Sequence, residues 1–94
     1  MSPGEIEDVL LEHEAVGDAA VVGIPDEQWG EGVAAAIRLK DGKSAEIAEL
    51  QDWVKNHMRS SRVPQLIEFW DELPYNETGK LLRRVVKAKL AGDE

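Results

Sequence analysis

AAVVGI, residues 19–24, and VAAAIRL, residues 33–39, are two short apolar segments near the middle of the chain. Short apolar segments rich in β-branched residues and bounded by turn residues predict β-strands. The residues between them, 25–32, carry proline, glycine and acidic side chains, so they are predicted to form a loop. A connection this short favours an antiparallel pair, because parallel strands need a longer crossover.

A helix is predicted before the first strand. Ser2 can cap it, Pro3 takes its first position and Glu5 can complete a capping box. The apolar face is predicted to contain Ile6, Val9, Leu10 and His13, and the acidic residues mostly left for water are Glu5, Glu7, Asp8 and Glu12. Gly17 is a plausible stop signal, so the helix is expected to end near residue 15.

Three more elements follow the second strand. Ser44 can cap a second helix, and residues 59–64 are predicted to end it. Its apolar face is Ile47, Leu50, Val54 and Met58. Residues 66–70 predict a third strand, and residues 71–79 an exposed loop.

A last helix is predicted near the C-terminus. Its apolar stripe is Leu81, Leu82, Val85, Val86 and Leu90, and its opposite side carries Arg83, Arg84 and Lys87. The predicted fold class is α+β: a small three-stranded sheet covered by helices, in the order α-β-β-α-β-α.

Composition limits the classes of protein to consider. The chain has 94 residues, of which 43% are hydrophobic and 32% charged, and a net charge of -8, which favours one small globular domain. It has no cysteine, which excludes disulfides, thiolate metal sites and a cysteine nucleophile and suits a cytoplasmic protein. We expect no transmembrane segment, and no nucleic-acid partner, because the first 37 residues contain no lysine or arginine.

Histidines, clustered carboxylates and tryptophans are weak candidates for chemistry. His13 and His57 are far apart in sequence and are interpreted as packed or partly exposed side chains rather than metal ligands. The acidic residues near the N-terminus lack calcium-loop spacing and are interpreted as a solvated face. Trp53 and Trp70 are predicted to lie in the core or an interface, and the role of Trp29 is left open.

Lys80 is the stronger candidate. It follows the glycine-containing segment LPYNETG, residues 73–79, and is predicted to lie in the first turn of the last helix. The helix dipole disfavours a lysine there by about 0.3 to 1 kcal/mol, so local stability does not explain it. A lysine presented by such a loop could reach a phosphate or a carboxylate. A solvated start to a basic helix is an equally good interpretation of the residues alone.

Four motifs in the same order and spacing resemble the C-terminal domain of adenylate-forming enzymes. They are PGEIE at residues 3–7, AAVVGIPD at 19–26, WGE at 29–31, and LP at 73–74 with TGKLLRR at 78–84. That superfamily includes acyl-CoA synthetases, adenylation domains of nonribosomal peptide synthetases, and beetle luciferases. The resemblance covers nearly the whole chain. Residues 1–94 are therefore expected to form the C-terminal lid domain of an AMP-binding ligase, whose nucleotide-binding N-terminal domain lies outside this sequence.

The resemblance implies a two-step ligase that uses ATP and CoA, with Mg in the full-length enzyme. A carboxylic acid substrate would first form an acyl-adenylate and then a thioester, and the expected partner is the large N-terminal domain of the same enzyme. Lys80 would be the catalytic residue of adenylation, on a loop formed by Thr78 and Gly79. The resemblance also implies that related synthetases are acetylated at this lysine. The 94-residue chain alone would be inactive, since it carries no complete ATP site.

Two alternatives remain at this point. TGKLLRR favours an acyl-CoA synthetase over a peptide-synthetase adenylation subdomain, in which the corresponding stretch more often resembles NGKVDR. The second alternative is a free-standing, non-catalytic binding or regulatory module of the same fold. The acid cannot be predicted, because the acyl pocket would lie in the N-terminal domain, and a carrier-protein thiol could replace CoA. Fatty acid metabolism is the expected context.

Overall fold

A computed structural model of the chain describes residues 3–26, 30–58 and 63–92. Its elements are α1 (Pro3–Leu11), β1 (Val16–Asp26), β2 (Gly30–Leu39), α2 (Ile47–Met58), β3 (Leu66–Phe69) and α3 (Arg83–Leu90). The order α-β-β-α-β-α and the α+β class are as predicted. No helix within the described ranges is long and apolar enough to span a membrane.

The three strands form one sheet in the order β1-β2-β3. β1 and β2 pair antiparallel along their length, with Val21 opposite Ala35. β3 pairs parallel with β2, and α2 makes the crossover that a parallel connection requires. The central strand is therefore β2, and one edge of β1 has no neighbouring strand among the described residues.

Both faces of the sheet are covered by helices. Because successive strand residues point to opposite faces, alternate residues of β1 and β2 belong to two different apolar clusters. The first packs with α1 and α2 and includes Ile6, Leu10, Ala19, Val21, Ala35, Ile37, Leu50 and Val54. The second packs with α3 and includes Ala20, Val22, Ile24, Ala34, Ala36, Leu73, Val86 and Leu90. Burial on both faces explains why these strands are apolar runs rather than alternating ones.

The first helix is shorter than predicted. α1 ends at Leu11, and residues 12–15 form turns instead of a further helical turn. Nδ1 of His13 accepts a hydrogen bond from the backbone N–H of Ala15 at 3.1 Å, which competes with helical bonding. Gly17 is not a helix stop but lies in β1, at an irregularity in its pairing with β2. A Cβ at Gly17 would come within 2.9 Å of the Arg38 side chain, so glycine permits this close approach.

Other predicted boundaries differ more modestly. β1 and β2 are longer than the apolar segments that predicted them, and α3 begins at Arg83 rather than near Leu81. Ile47 was predicted on the buried face of α2 but is 43% exposed at the first position of that helix. The capping role of Ser2, the helix break at 59–62 and the open role of Trp29 lie outside the described residues.

Candidate functional site

Lys80 lies on a small hairpin between the buried residue Leu73 and α3. Tyr75 and Leu81 form an isolated antiparallel bridge across it. The N–H of Asn76 donates to the carbonyl of Lys80 at 2.9 Å, and the N–H of Leu82 donates to the carbonyl of Pro74 at 2.9 Å. We refer to residues 75–81 as the Lys80 hairpin.

The side chain of Asn76 organises the turn of this hairpin. Its Oδ1 accepts hydrogen bonds from the Thr78 N–H at 3.0 Å, the Thr78 hydroxyl at 2.8 Å and the Lys80 N–H at 2.9 Å. Gly79 has φ +84, a conformation that glycine adopts without the strain of other residues. Asn76 was not among the predicted site residues, although asparagine before glycine in a loop is a recognised turn signal.

The position of Lys80 corrects one expectation. It is not in the first turn of the last helix, because α3 begins at Arg83 and its N-cap position is Leu82. The backbone of Lys80 is held in the hairpin, and the residue is exposed. Within the described part of the chain, no ion pair engages its ammonium group. The hairpin thus presents an uncompensated positive charge on an ordered backbone.

Arg83 and Glu7 correct a second expectation. Glu7 was predicted to face water but is only 8% exposed. Its Oε2 accepts a hydrogen bond from the backbone N–H of Val21 at 2.8 Å, on the edge of β1 that has no neighbouring strand. The guanidinium of Arg83 bonds both carboxylate oxygens, with Nε to Oε2 at 3.2 Å. Glu7 therefore connects α1, the edge of β1 and the start of α3.

Tyr75 makes a second link to the same strand. Its hydroxyl donates a short hydrogen bond to Oδ2 of Asp18, whose Oδ1 accepts from the N–H of Ala19 at 2.9 Å. The bond to Asp18, with partial burial, raises the pKa of Tyr75 to about 12 from the ordinary 10.0, because ionising the hydroxyl would remove the donor and oppose the carboxylate. Local sequence patterns contain no signal for this pair, because its members are 57 residues apart.

The histidines have structural partners. Nε2 of His13 lies 2.7 Å from Glu49, while its Nδ1 accepts from Ala15, so both nitrogens of this buried ring are satisfied. His57 is exposed and stacks on Trp53 at a centroid distance of 4.0 Å. This agrees with the interpretation of both as packed or partly exposed side chains. Of the described residues, no three His, Asp or Glu side chains are grouped to hold a metal ion.

Both described tryptophans pack against other elements. Trp53 joins α2 to α1 through a hydrogen bond from Nε1 to the Val9 carbonyl at 2.7 Å. Trp70 packs against the second apolar cluster, with the Lys89 ammonium 5.7 Å from its ring centroid. Both tryptophans therefore pack within the domain, which is one of the two locations predicted for them.

Residues 5–80 match the family model described as the AMP-binding enzyme C-terminal domain. The chain belongs to this family. Among its relatives is 2-succinylbenzoate–CoA ligase of Geobacillus sp. (strain WCH70), 42% identical over 92 residues, which are 98% of this chain and 19% of the relative. A fatty acid–[acyl-carrier-protein] ligase of Streptomyces coeruleorubidus is 40% identical over 91 residues, 97% of this chain and 18% of the relative.

Solved structures agree with the family assignment. The crystal structure of Brucella canis acyl-CoA synthetase matches with a TM-score of 0.90 and 35% identity, over 98% of this chain and 18% of that one. The chain thus spans about a fifth of the length of these relatives. The predicted resemblance to the C-terminal domain of adenylate-forming enzymes is confirmed, and so is the fold class.

In this AMP-binding C-terminal domain, Lys80 is a described group suited to a nucleotide or a carboxylate, because an ordered hairpin presents it. The Lys80 ammonium is exposed, has no ion-pair partner among the described residues and follows a glycine that leaves open space around it. The fit is to an anion, since an ammonium on a preorganised backbone can approach oxygens of either reactant. That Lys80 is the catalytic residue, presented by a loop of Thr78 and Gly79, stays a prediction.

Proposed function

We propose that this chain is the lid domain of an ATP-dependent acid–CoA ligase and that Lys80 is its catalytic residue for adenylation. The single observation that carries the proposal is the Lys80 ammonium, held on an ordered hairpin in a domain of this family and without an ion-pair partner among the described residues. Thr78 and Gly79 shape the turn that presents it. The large N-terminal domain would supply the nucleotide and acyl pockets.

The first half-reaction accounts for the need for a cation. A carboxylate oxygen of the acid attacks the α-phosphorus of ATP, a new P–O bond forms, and the bond to the bridging oxygen breaks, so that pyrophosphate leaves with the electron pair. Two anions must approach each other, and negative charge is redistributed on the phosphoryl oxygens. A lysine fixed near both stabilises that charge without reorganising solvent. Magnesium would be bound by the ATP phosphates and the large domain.

In the second half-reaction, a thiol sulfur attacks the acyl carbon, AMP leaves, and the thiol proton is lost. CoA is the proposed thiol, because the names of several relatives specify CoA ligases. A carrier-protein thiol is a second candidate, favoured by the relative named as an acyl-carrier-protein ligase. A carboxylic acid of fatty acid metabolism is the proposed substrate class, and the cytoplasm the proposed location.

Lys80→Ala in the full-length enzyme tests the proposal. We expect acyl-adenylate formation to slow by ~10² to 10³, or about 2.7 to 4 kcal/mol, the cost of removing one preorganised contact to a transition state. Lys80→Arg should restore only part of the rate, since a planar guanidinium cannot reproduce the point charge of an ammonium. The measurement is single-turnover pyrophosphate release.

Two further arms complete that experiment. Thiol capture from preformed acyl-adenylate should be nearly unchanged in Lys80→Ala, and equal losses in both half-reactions would mean that Lys80 holds the domain in place. The 94-residue chain alone should show no acid-dependent ATP consumption, because it lacks a complete nucleotide site. ATP consumption by the purified chain would contradict the proposal that the N-terminal domain supplies the nucleotide pocket.

A further inference from the structure

The hydrogen bonds inside the Lys80 hairpin do not attach it to the sheet. The described bonds of Asn76 go to Thr78, Gly79 and Lys80, and the backbone bonds join residues 74–76 to residues 79–82. These contacts fix the shape of the turn. They leave open how the turn is oriented relative to β1 and β2, which carry most of the core.

Leu81, the last residue of the hairpin, packs against the second apolar cluster, and two polar links further fix the orientation. Tyr75, five residues before Lys80, bonds to Asp18 on β1. Arg83, three residues after Lys80, bonds to Glu7, which in turn accepts the N–H of Val21 on the same strand. The hairpin is therefore tied to β1 on both sides of the lysine, by contacts between residues 57 and 76 positions apart.

We propose that Tyr75 and Arg83, acting through Asp18 and Glu7, are positioning residues that set the direction in which Lys80 projects during adenylation. This rests on the proposed function of Lys80. A lysine side chain has four rotatable bonds, so its ammonium can take many positions. The contribution of its charge to the adenylation rate therefore depends on how well its Cα is already placed. The two links would provide that placement without either side chain touching a substrate.

Burial separates the two links. The Arg83 side chain is 48% exposed, but its partner Glu7 is buried, so removing Arg83 would leave a buried carboxylate without its cation and cost stability. Tyr75 is 45% exposed, and water competes for both partners of an exposed hydrogen bond, so this bond contributes little to folding. Removing the Tyr75 hydroxyl should therefore leave the fold intact while loosening the hairpin.

The ionisation of Tyr75 tests the first link without an activity assay. Tyr75 is the only tyrosine, so tyrosinate absorbance of the 94-residue chain reports on it alone. We expect a midpoint of about 12, falling toward the ordinary 10.0 in Asp18→Asn. Any stability from this bond is present below pH 10.0 and lost as the pH rises to about 12. Circular dichroism should be followed in parallel, and a midpoint near 10.0 in the folded parent chain would overturn the link.

Single-turnover kinetics of the full-length enzyme provide the decisive test. Tyr75→Phe and Arg83→Gln should each slow acyl-adenylate formation by about 3- to 10-fold, the range expected for the net value of one hydrogen bond. Thiol capture should stay at the parent rate, and the melting temperature of Tyr75→Phe should barely change. Arg83→Lys should recover part of the loss, because an ammonium can still pair with Glu7.

Arg84→Gln is the matched control. Arg84 is the next residue on α3, carries the same charge and is exposed, with no partner among the residues described. It should adenylate at the parent rate, which would show that Arg83 acts through its contact rather than its charge. In a double-mutant cycle, Asp18→Asn should add nothing to Tyr75→Phe, since the pair shares one bond.

The outcomes separate this proposal from the proposed function. If Lys80→Ala is slow but Tyr75→Phe and Arg83→Gln adenylate normally, the positioning role is wrong and the role of Lys80 stands. If Lys80→Ala is also normal, the proposed function of Lys80 fails first. Equal losses in both half-reactions for Tyr75→Phe would show a general structural role and overturn the inference. Should Arg83→Gln fold poorly, Glu7→Gln removes the same ion pair and can still accept the Val21 N–H.

Discussion

The domain contains two antiparallel hairpins that are held by different forces. In the hairpin of β1 and β2, the paired residues run from Val16 opposite Leu39 to Asp26 opposite Gly30. Helices cover both of its faces. The Lys80 hairpin has one bridge, between Tyr75 and Leu81, and its residues 75–80 are all exposed. Apolar burial holds the first, whereas the second depends mainly on hydrogen bonds and packs against the core through Leu81.

This difference separates stability from function within one small domain. Burial of apolar surface is the main favourable term in folding, so substitutions in the β1–β2 hairpin should act on the free energy of unfolding. The Lys80 hairpin buries little, so substitutions there should act on the adenylation rate instead. The three predictions below test whether the two effects can be separated in this way.

Ile37→Ala should give the largest effect. Ile37 lies in β2 and is fully buried between helices and sheet, so its truncation should lower the free energy of unfolding by about 2 to 5 kcal/mol. The matched control is Ile47→Ala, since Ile47 is 43% exposed at the start of α2 and should cost less than about 1 kcal/mol. Urea unfolding of both variants checks the difference, and equal losses would refute the assignment of the core.

Acetylation of Lys80, in contrast to Ile37→Ala, should change the adenylation rate and not the free energy of unfolding. It removes the charge and adds bulk, so acyl-adenylate formation should fall by ~10² to 10³, while the free energy of unfolding stays the same. Homogeneous acetyl-lysine at position 80 of the full-length enzyme is the material required. Acetylation at Lys43, an exposed lysine in the turn after β2, is the control and should leave the rate unchanged. An unmodified rate with acetyl-Lys80 would contradict the proposed role.

Asn76→Ala should have the smallest effect of the three. It removes an acceptor of three hydrogen bonds that water can partly replace, at a net value of about 1 kcal/mol, so adenylation should slow by roughly 5- to 10-fold. Asn76→Asp keeps an acceptor oxygen and should recover most of that loss. Circular dichroism and thermal unfolding should hardly change. A large fall in melting temperature would mean that the hairpin also supports the core.

Much of the fold was predictable because its determinants are local. Residues 19–24 and 33–39 are apolar runs of strand length, and the periodicities around Leu50 and Val86 are helical, so element order and sheet content follow from short windows. Boundaries were less predictable. α1 ends early because the side chain of His13 bonds to the backbone of Ala15, a competition that helical periodicity does not reveal.

The residues alone left the role of Lys80 open, and the motif TGKLLRR made it a candidate through the family resemblance, which stays a prediction. The tertiary structure alone decided which polar residues connect its hairpin to β1. Glu7 has the pattern of a solvated acid, yet the packing of α1 places its carboxylate where it accepts from the N–H of Val21 and from the guanidinium of Arg83. Tyr75 and Asp18 likewise meet only in the folded chain. Helical and strand periodicities extend over a few residues, whereas the partner of a polar side chain depends on how whole elements pack.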